Sequence, residues 1–281
     1  MVSTILQKFL YQARKIVGFE LRIYTDDTGK NIVLKLVEHD PHISVYHFNC
    51  PLFRQGKGHI GTFGTMVRFL PFFEKGLDYV WCSDIDVPDF YLTMNDLKEV
   101  KDNKCDMRIS THICYERKVY GRQYTIIAGR LISRVQWPKV ILTKFLNKLA
   151  DGGLKKEVKL LNDSNTRKNP SKIPYGIDEY FLNFNMYDWM KRNNFKVLVD
   201  RDLFLNSMLS YNTPISAEES AMLDRYYKYP DKKNIHAVKE VYTKHIPRIL
   251  DKYPCTKEIL DKLDSFKDLF EEKIVVKSSD M

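Results

Sequence analysis

Residues Leu77–Cys82 (LDYVWC) are almost entirely apolar, and Ser83-Asp84-Ile85-Asp86 follow with no break. An apolar run of that length reads as a strand buried on both faces, the pattern of a parallel sheet covered by helices. Two carboxylates at i, i+2 then meet the end of a buried strand. In open α/β sheets ligands gather beyond the carboxyl ends of the strands. Two crowded carboxylates repel unless a cation lies near them. Hard oxygen donors suit Mg²⁺ or Mn²⁺, which also take phosphate oxygens from a substrate. The plain alternative is a polar turn closing a strand.

The rest of the chain sets that strand in an alternating pattern. Strands are predicted at Phe19–Thr25, Ile32–Val37, Ser44–Phe48, Leu77–Cys82, Met107–Thr111, Tyr124–Ser133 and Lys196–Val199. Helices are predicted at Thr4–Val17, Phe63–Lys75, Thr93–Val100, Pro138–Leu149 and Ile177–Arg192. This alternation predicts an α/β fold with a mainly parallel sheet flanked by helices. Asp151–Ser171, polar and turn-rich, reads as a long exposed loop. Beyond about residue 210 the strand signals stop, and Ala217–Tyr227, Ile235–Leu250 and Thr256–Glu272 read as helices. The expected organisation is a catalytic domain over 1–210 and a helical extension over 211–281 packed on it.

Composition narrows the partners. Forty-five Lys and Arg against 36 Asp and Glu give +9, which favours an anionic partner. The basic residues are spread, with no arginine-rich arm or RNA-binding motif, so nucleic acid is not expected. No run approaches a membrane span, and the first twenty residues do not form a secretory signal. Five scattered cysteines with no C-x-x-C pair argue against a disulfide framework or zinc site. A soluble, cytoplasmic protein is expected. Its oligomeric state is not legible.

Four segments in order carry a resemblance. They are Leu21-Arg22-Ile23-Tyr24-Thr25-Asp26-Asp27, Arg68-Phe69-Leu70-Pro71-Phe72-Phe73 leading to Ser83-Asp84-Ile85-Asp86, Ile126-Ile127-Ala128-Gly129-Arg130, and Tyr175-Gly176-Ile177-Asp178-Glu179 running to Leu182-Asn183. Over roughly residues 19–185 the chain resembles the GT-A glycosyltransferases of the glycogenin-like and lipopolysaccharide galactosyltransferase group. The resemblance implies a Rossmann-like GT-A fold and transfer of a sugar from a nucleotide-sugar donor, with a UDP-sugar expected, to a carbohydrate or glycan acceptor. It implies Mn²⁺ or Mg²⁺ on Asp84 and Asp86, with Asp84 also near the ribose. Tyr24, Asp26, Arg68, Ser83 and Gly129 would contact the donor. Asp178 and Glu179 would face the reacting centre.

The pattern departs from that group in three places. Its opening, nucleotide-binding strand has no counterpart ahead of the first predicted helix. Glu179 stands where the retaining group has Gln, and a carboxylate there could act as a general base and imply inversion. The C-terminal H-x-x-G-x-x-K-P-W is absent, which leaves His236, or alternatively His245, to complete the metal shell. Two other functions fit parts of the pattern. A non-catalytic protein of the same fold would account for the absent strand. A haloacid-dehalogenase-type phosphatase also places D-x-D after a strand, but Pro88 occupies the position where that motif has Thr or Val.

Overall fold

The computed structural model describes residues 2–14, 18–37, 40–83, 94–112, 122, 124–164, 171–202, 216–219, 221–222, 237, 240–241, 244–245 and 271–281. Helix α1 (Val2–Ala13) precedes strand β1 (Leu21–Thr25), helix α2 (Lys30–Val37) and strand β2 (Ile43–His47). A small hairpin follows, β3 (Arg54–Gln55) and β4 (Gly58–His59), then α3 (Gly64–Val67) and β5 (Val80–Ser83). Helix α4 (Met94–Asp102), strands β6 (Met107–His112) and β7 (Arg130–Ser133), and helices α5 (Lys139–Ala150) and α6 (Lys155–Ser164) come next. One helical stretch comprises α7 (Ile177–Phe181), a π turn over Leu182–Met186, and α8 (Tyr187–Asn193). Strands β8 (Lys196–Asp202) and β9 (Glu271–Lys277) complete the described elements.

The fold is a mixed α/β one, but its main sheet is not mainly parallel. Five strands run in the order β5-β7-β6-β8-β9. β7 is antiparallel to both β5 and β6, and β9 is antiparallel to β8, while β6 and β8 pair in parallel. Hence β5, β6 and β8 run one way and their carboxyl ends share one edge. β1 and β2 form a separate parallel pair. Among the described residues β5 is an edge strand of the five-stranded sheet, which is why Val80 and Trp81 are only half-buried despite their apolar run.

Four further expectations give way to the structure. Ile32–Val37 is helical, because Val33 and Val37 at i, i+4 are buried while Ile32 and Leu34 face solvent. The expected helix over Phe63–Lys75 breaks in two. Pro71 cannot donate to a carbonyl one turn back, so Leu70–Phe73 tightens into a 3₁₀ turn. Part of the expected loop is α6, whose Val158 and Leu161, with Leu154 just before it, pack on the core. The C-terminal tail is not helical throughout: Glu271–Lys277 pairs along the length of β8, with Ile274 and Val276 turned toward the core. The run of three β-branched residues, Ile274-Val275-Val276, is the signal for that strand.

Two apolar clusters flank β1. Leu6 and Leu10 of α1 pack with Val33, Val37, Leu21 and Ile23 on one face. Tyr24, from the other face, joins the main core with Phe69, Phe72, Trp137 and Phe181. There the Phe72 and Trp137 rings stack at 4.2 Å.

Candidate functional site

The carboxyl end of β5 is the reference point. Ser83 pairs with Arg130 across the sheet, so Gly129 is the residue next to that pair. Gly129 is itself buried. The segment leading to it is held by Asn183, fully buried in the π turn. The Asn183 amide nitrogen donates to the Ile126 carbonyl at 2.9 Å and the Glu179 carbonyl at 2.8 Å. Its side-chain oxygen accepts from the Ile126 N–H at 2.8 Å. One side chain thus fastens the segment that leads through Gly129 into β7 to the helix carrying Asp178 and Glu179. A single π turn within an α-helix is a frequent feature of functional sites.

Asp178 and Glu179 lie in the first turn of α7, as expected, behind a left-handed Gly176. Asp178 is buried, and its carboxylate accepts from the Arg68 guanidinium and from the Glu179 N–H. Arg68 also donates from Nε to the Thr65 carbonyl at 2.9 Å. The α7 approach is set by Gly61 and Thr62. Thr62 donates from its N–H to the Ile173 carbonyl and from its hydroxyl to the Pro174 carbonyl. Gly61 has a φ of 56°, and a Cβ there would collide with the Ile173 carbonyl. The backbones meet closely because position 61 has no side chain.

A cavity of about 1040 Å³ lies between β1 and β5. Tyr24, Arg68 and Ser83 all line it, together with Gly64 and Thr65. Three of the expected donor contacts therefore share one space. Burial pushes the Tyr24 hydroxyl up, while a hydrogen bond with Arg22 pulls it partly back. The Tyr24 ring stacks on Tyr46 at 5.2 Å.

Asp26 is placed elsewhere. Its carboxylate accepts from the Thr28 N–H and hydroxyl and meets His59 Nδ1 at 3.0 Å. His59 Nε2 accepts from the Cys50 N–H, so Nδ1 is the nitrogen that carries the proton toward Asp26. Burial would raise the Asp26 pKa, but the His59 and Thr28 hydrogen bonds outweigh it and hold it at about 2. The expected donor contact is here a fixed joint between the turn after β1 and the β3–β4 hairpin.

Asp84, Asp86 and His236 lie outside the described residues. His245 is buried, with Nε2 3.4 Å from both carboxylate oxygens of Glu219. Among the described residues no three His, Cys, Asp or Glu side chains form a metal-holding group. None of the described helices is long and apolar enough to cross a membrane.

Sequence reasoning passed over a second buried charge cluster. Arg108 of β6 donates to Asp96 of α4 at 2.9 Å and to Asp200 of β8, and all three are buried. An arginine between Met107 and Ile109 in a core strand was its signal, since such a charge is not buried without partners. Comparison with known proteins returns no matching family model, no similar curated protein and no similar solved structure.

Proposed function

We propose that this chain is a metal-dependent glycosyltransferase of GT-A type, moving a sugar from a nucleotide-sugar donor, with UDP the expected nucleotide, to a carbohydrate or glycan acceptor. One observation carries the reading. Tyr24, Arg68 and Ser83 line a single cavity that runs along β5 to its carboxyl end, and the chain continues from Ser83 directly into Asp84-Ile85-Asp86. Two further features support it. Gly129 neighbours the Ser83 pair, and the co-directional strands β5, β6 and β8 end at that same edge, where α/β folds collect ligands.

In this reading Asp84 and Asp86 hold Mn²⁺ or Mg²⁺, to which their hard oxygens are suited. The bound cation would neutralise charge on the departing nucleoside diphosphate. The protein's own groups do the positioning. Tyr24 offers an aromatic face for the base, and the Gly129 backbone leaves room for the sugar. Arg68, steadied by Thr65 and Asp178, presents positive charge to the diphosphate. Asp178 and Glu179, at the amino end of α7, supply carboxylates that stabilise positive charge on the sugar or accept the acceptor's proton.

A non-catalytic binding protein of the same fold is the second reading. It is favoured by the internal commitment of two expected donor contacts, Arg68 to Asp178 and Asp26 to His59. A thermal-shift panel separates the two, using UDP, GDP, CDP and their sugars with and without Mn²⁺. A saturating ligand adds RT ln(1 + [L]/Kd), about 2.7 kcal/mol at a hundredfold excess over Kd. The transferase reading expects a shift with a UDP-sugar plus Mn²⁺, glycosylated acceptor with release of UDP on incubation with acceptor glycans, and loss of both in Asp86→Asn. A shift without turnover supports the binding protein. Absence of any shift across the panel removes the nucleotide-sugar reading.

A further inference from the structure

We propose that Arg108 is a positioning residue for the Asp84-Ile85-Asp86 segment: the buried Asp96–Arg108–Asp200 cluster pins the far end of the stretch 84–93 to the middle of the five-stranded sheet. The inference rests on the reading that Asp84 and Asp86 hold the cation, and it assigns to Arg108 the role of keeping them where that cation needs them.

The stretch is tied at both ends. At one end Ser83 of β5 pairs with Arg130 of β7. At the other, α4 begins at Met94, and Asp96 stands in its first turn. The body of α4 is seated by apolar contacts, with Leu97 and Val100 in one cluster with Ile132 and Leu198. Contacts of that kind are non-directional and leave a helix free to slide or roll. A charge-assisted hydrogen bond has a fixed geometry and does not.

The sheet register puts the arginine where it can set that geometry. Arg108 lies between Ile132 on β7 and Leu198 on β8, so it shares their face and sits beneath α4. Asp200 follows Leu198 by two residues and returns to the same face. Arg108 Nη2 lies 2.9 Å from Asp96 Oδ1 and also bonds to the Asp200 carboxylate. A single nitrogen therefore joins the first turn of α4 to two neighbouring parallel strands.

Stability alone is a poor reason for this cluster. All three side chains are buried. Arg108 Nε and Nη1 and Asp200 Oδ1 have no hydrogen-bond partner among the described residues. Apolar side chains of similar volume often match or exceed a buried ion cluster in stability, whereas fixed register between elements is a use to which buried charges are put. Metal sites are sensitive to such support. Removing a group that orients a ligand typically weakens metal binding by about 10–100-fold.

Two variants test the proposal. Asp96→Asn keeps the volume and leaves Arg108 paired one-to-one with Asp200, so no charge is stranded. Asp96→Leu/Arg108→Met/Asp200→Leu removes all three charges together and is expected to unfold in urea at or above the wild-type midpoint. Both variants are expected to bind Mn²⁺ about 10–100-fold more weakly than wild type, followed by the electron paramagnetic resonance of the free ion. Without metal, the Ile85 and Val87 amides are expected to exchange faster in both, by about tenfold or more. Asp86→Asn checks the underlying reading separately, through loss of Mn²⁺ binding. If wild type binds no Mn²⁺, or Asp86→Asn binds it equally well, the metal reading falls and exchange at Ile85 and Val87 decides for or against the anchor. Unchanged exchange in both variants overturns the proposal. So does a loss of Mn²⁺ affinity that appears only where the urea midpoint falls with it.

Discussion

Arg68 and Asp178 show what a residue type can and cannot announce. An arginine in an apolar segment and an acid after a glycine were each legible, but their partnership across 110 positions was not. Only tertiary packing joins them, through the Gly61–Ile173 approach. Asp178 is buried and Arg68 is about a fifth exposed at its side chain (22%), so removing the cation strands a carboxylate in the core. Arg68→Leu is expected to cost about 2–4 kcal/mol, somewhat below a fully buried pair. Asp178→Asn should cost less, because the amide keeps hydrogen-bonding capacity. The double variant should be more stable than the sum of the singles by more than about 1 kcal/mol. Additive losses in urea unfolding would mean the pair is not formed in solution. Asp26 makes the complementary case, since its turn-forming residue type was readable and its histidine partner was not. Its carboxyl is held at about 2 in the folded chain, below the roughly 3.9 of an unfolded one. A lowered pKa stabilises the fold above the unfolded value, and that contribution is lost as pH falls from about 4 through about 2. Asp26→Asn should therefore lower the unfolding free energy most above pH 5, by about 1–2 kcal/mol, with the gap closing toward pH 2. A gap that stays constant over that range would remove the His59 and Thr28 explanation.

At the scale of elements, strands with one clear signal were legible and short apolar runs were not. Leu21–Thr25, Ile43–His47 and Met107–His112 fall within a residue or two of expectation. Ile32–Val37 misled because an unbroken apolar run carries no period, and burial of Val33 and Val37 decided for a helix. The helical start at Ile177 was readable from Pro174, Tyr175 and Gly176, but the π turn was not, since it depends on Asn183 reaching the Ile126 backbone. The seating of that helix rests on the 61–62 and 171–174 segments. Gly61→Ala would meet both a left-handed backbone and the Ile173 carbonyl, so a loss of about 2–4 kcal/mol is expected. Gly64→Ala, with open space around its Cβ position and an ordinary helical backbone, should change stability by less than about 1 kcal/mol. Equal destabilisation by the two would mean that the close approach does not hold the loop.

Among the described residues, the β1–β2 pair and the five-stranded sheet are of unequal strength. An α/β architecture was legible from the alternation of elements, whereas strand order and direction were not. Direction depends on how connections cross the sheet, and β7 enters between β5 and β6 in the opposite sense. In the five-stranded sheet the side chains of Ile109, Ile132, Val197 and Val199 are fully buried between layers. The β1–β2 pair has two five-residue strands and a small core of its own, and two-stranded sheets of that size are marginal alone. Its described ties to the larger sheet include the Arg22–Glu74 ion pair at 2.7 Å, the Phe19–Trp81 ring contact at 5.7 Å and Tyr24 in the main core. The first is partly exposed and contributes on the order of 1 kcal/mol or less. Local opening of residues 18–47 should therefore cost much less than global unfolding. Native-state hydrogen exchange is expected to give the slowest amides at Ile109, Val197 and Val199. Ile23 and Val45 should exchange faster by roughly a hundredfold or more under the same conditions. Adding low urea should leave the β1–β2 amides almost unchanged, because a local opening exposes little surface, while the β6 and β8 amides accelerate steeply. If all of these amides share one rate and one urea slope, the two sheets unfold together and the smaller one is not a separate unit.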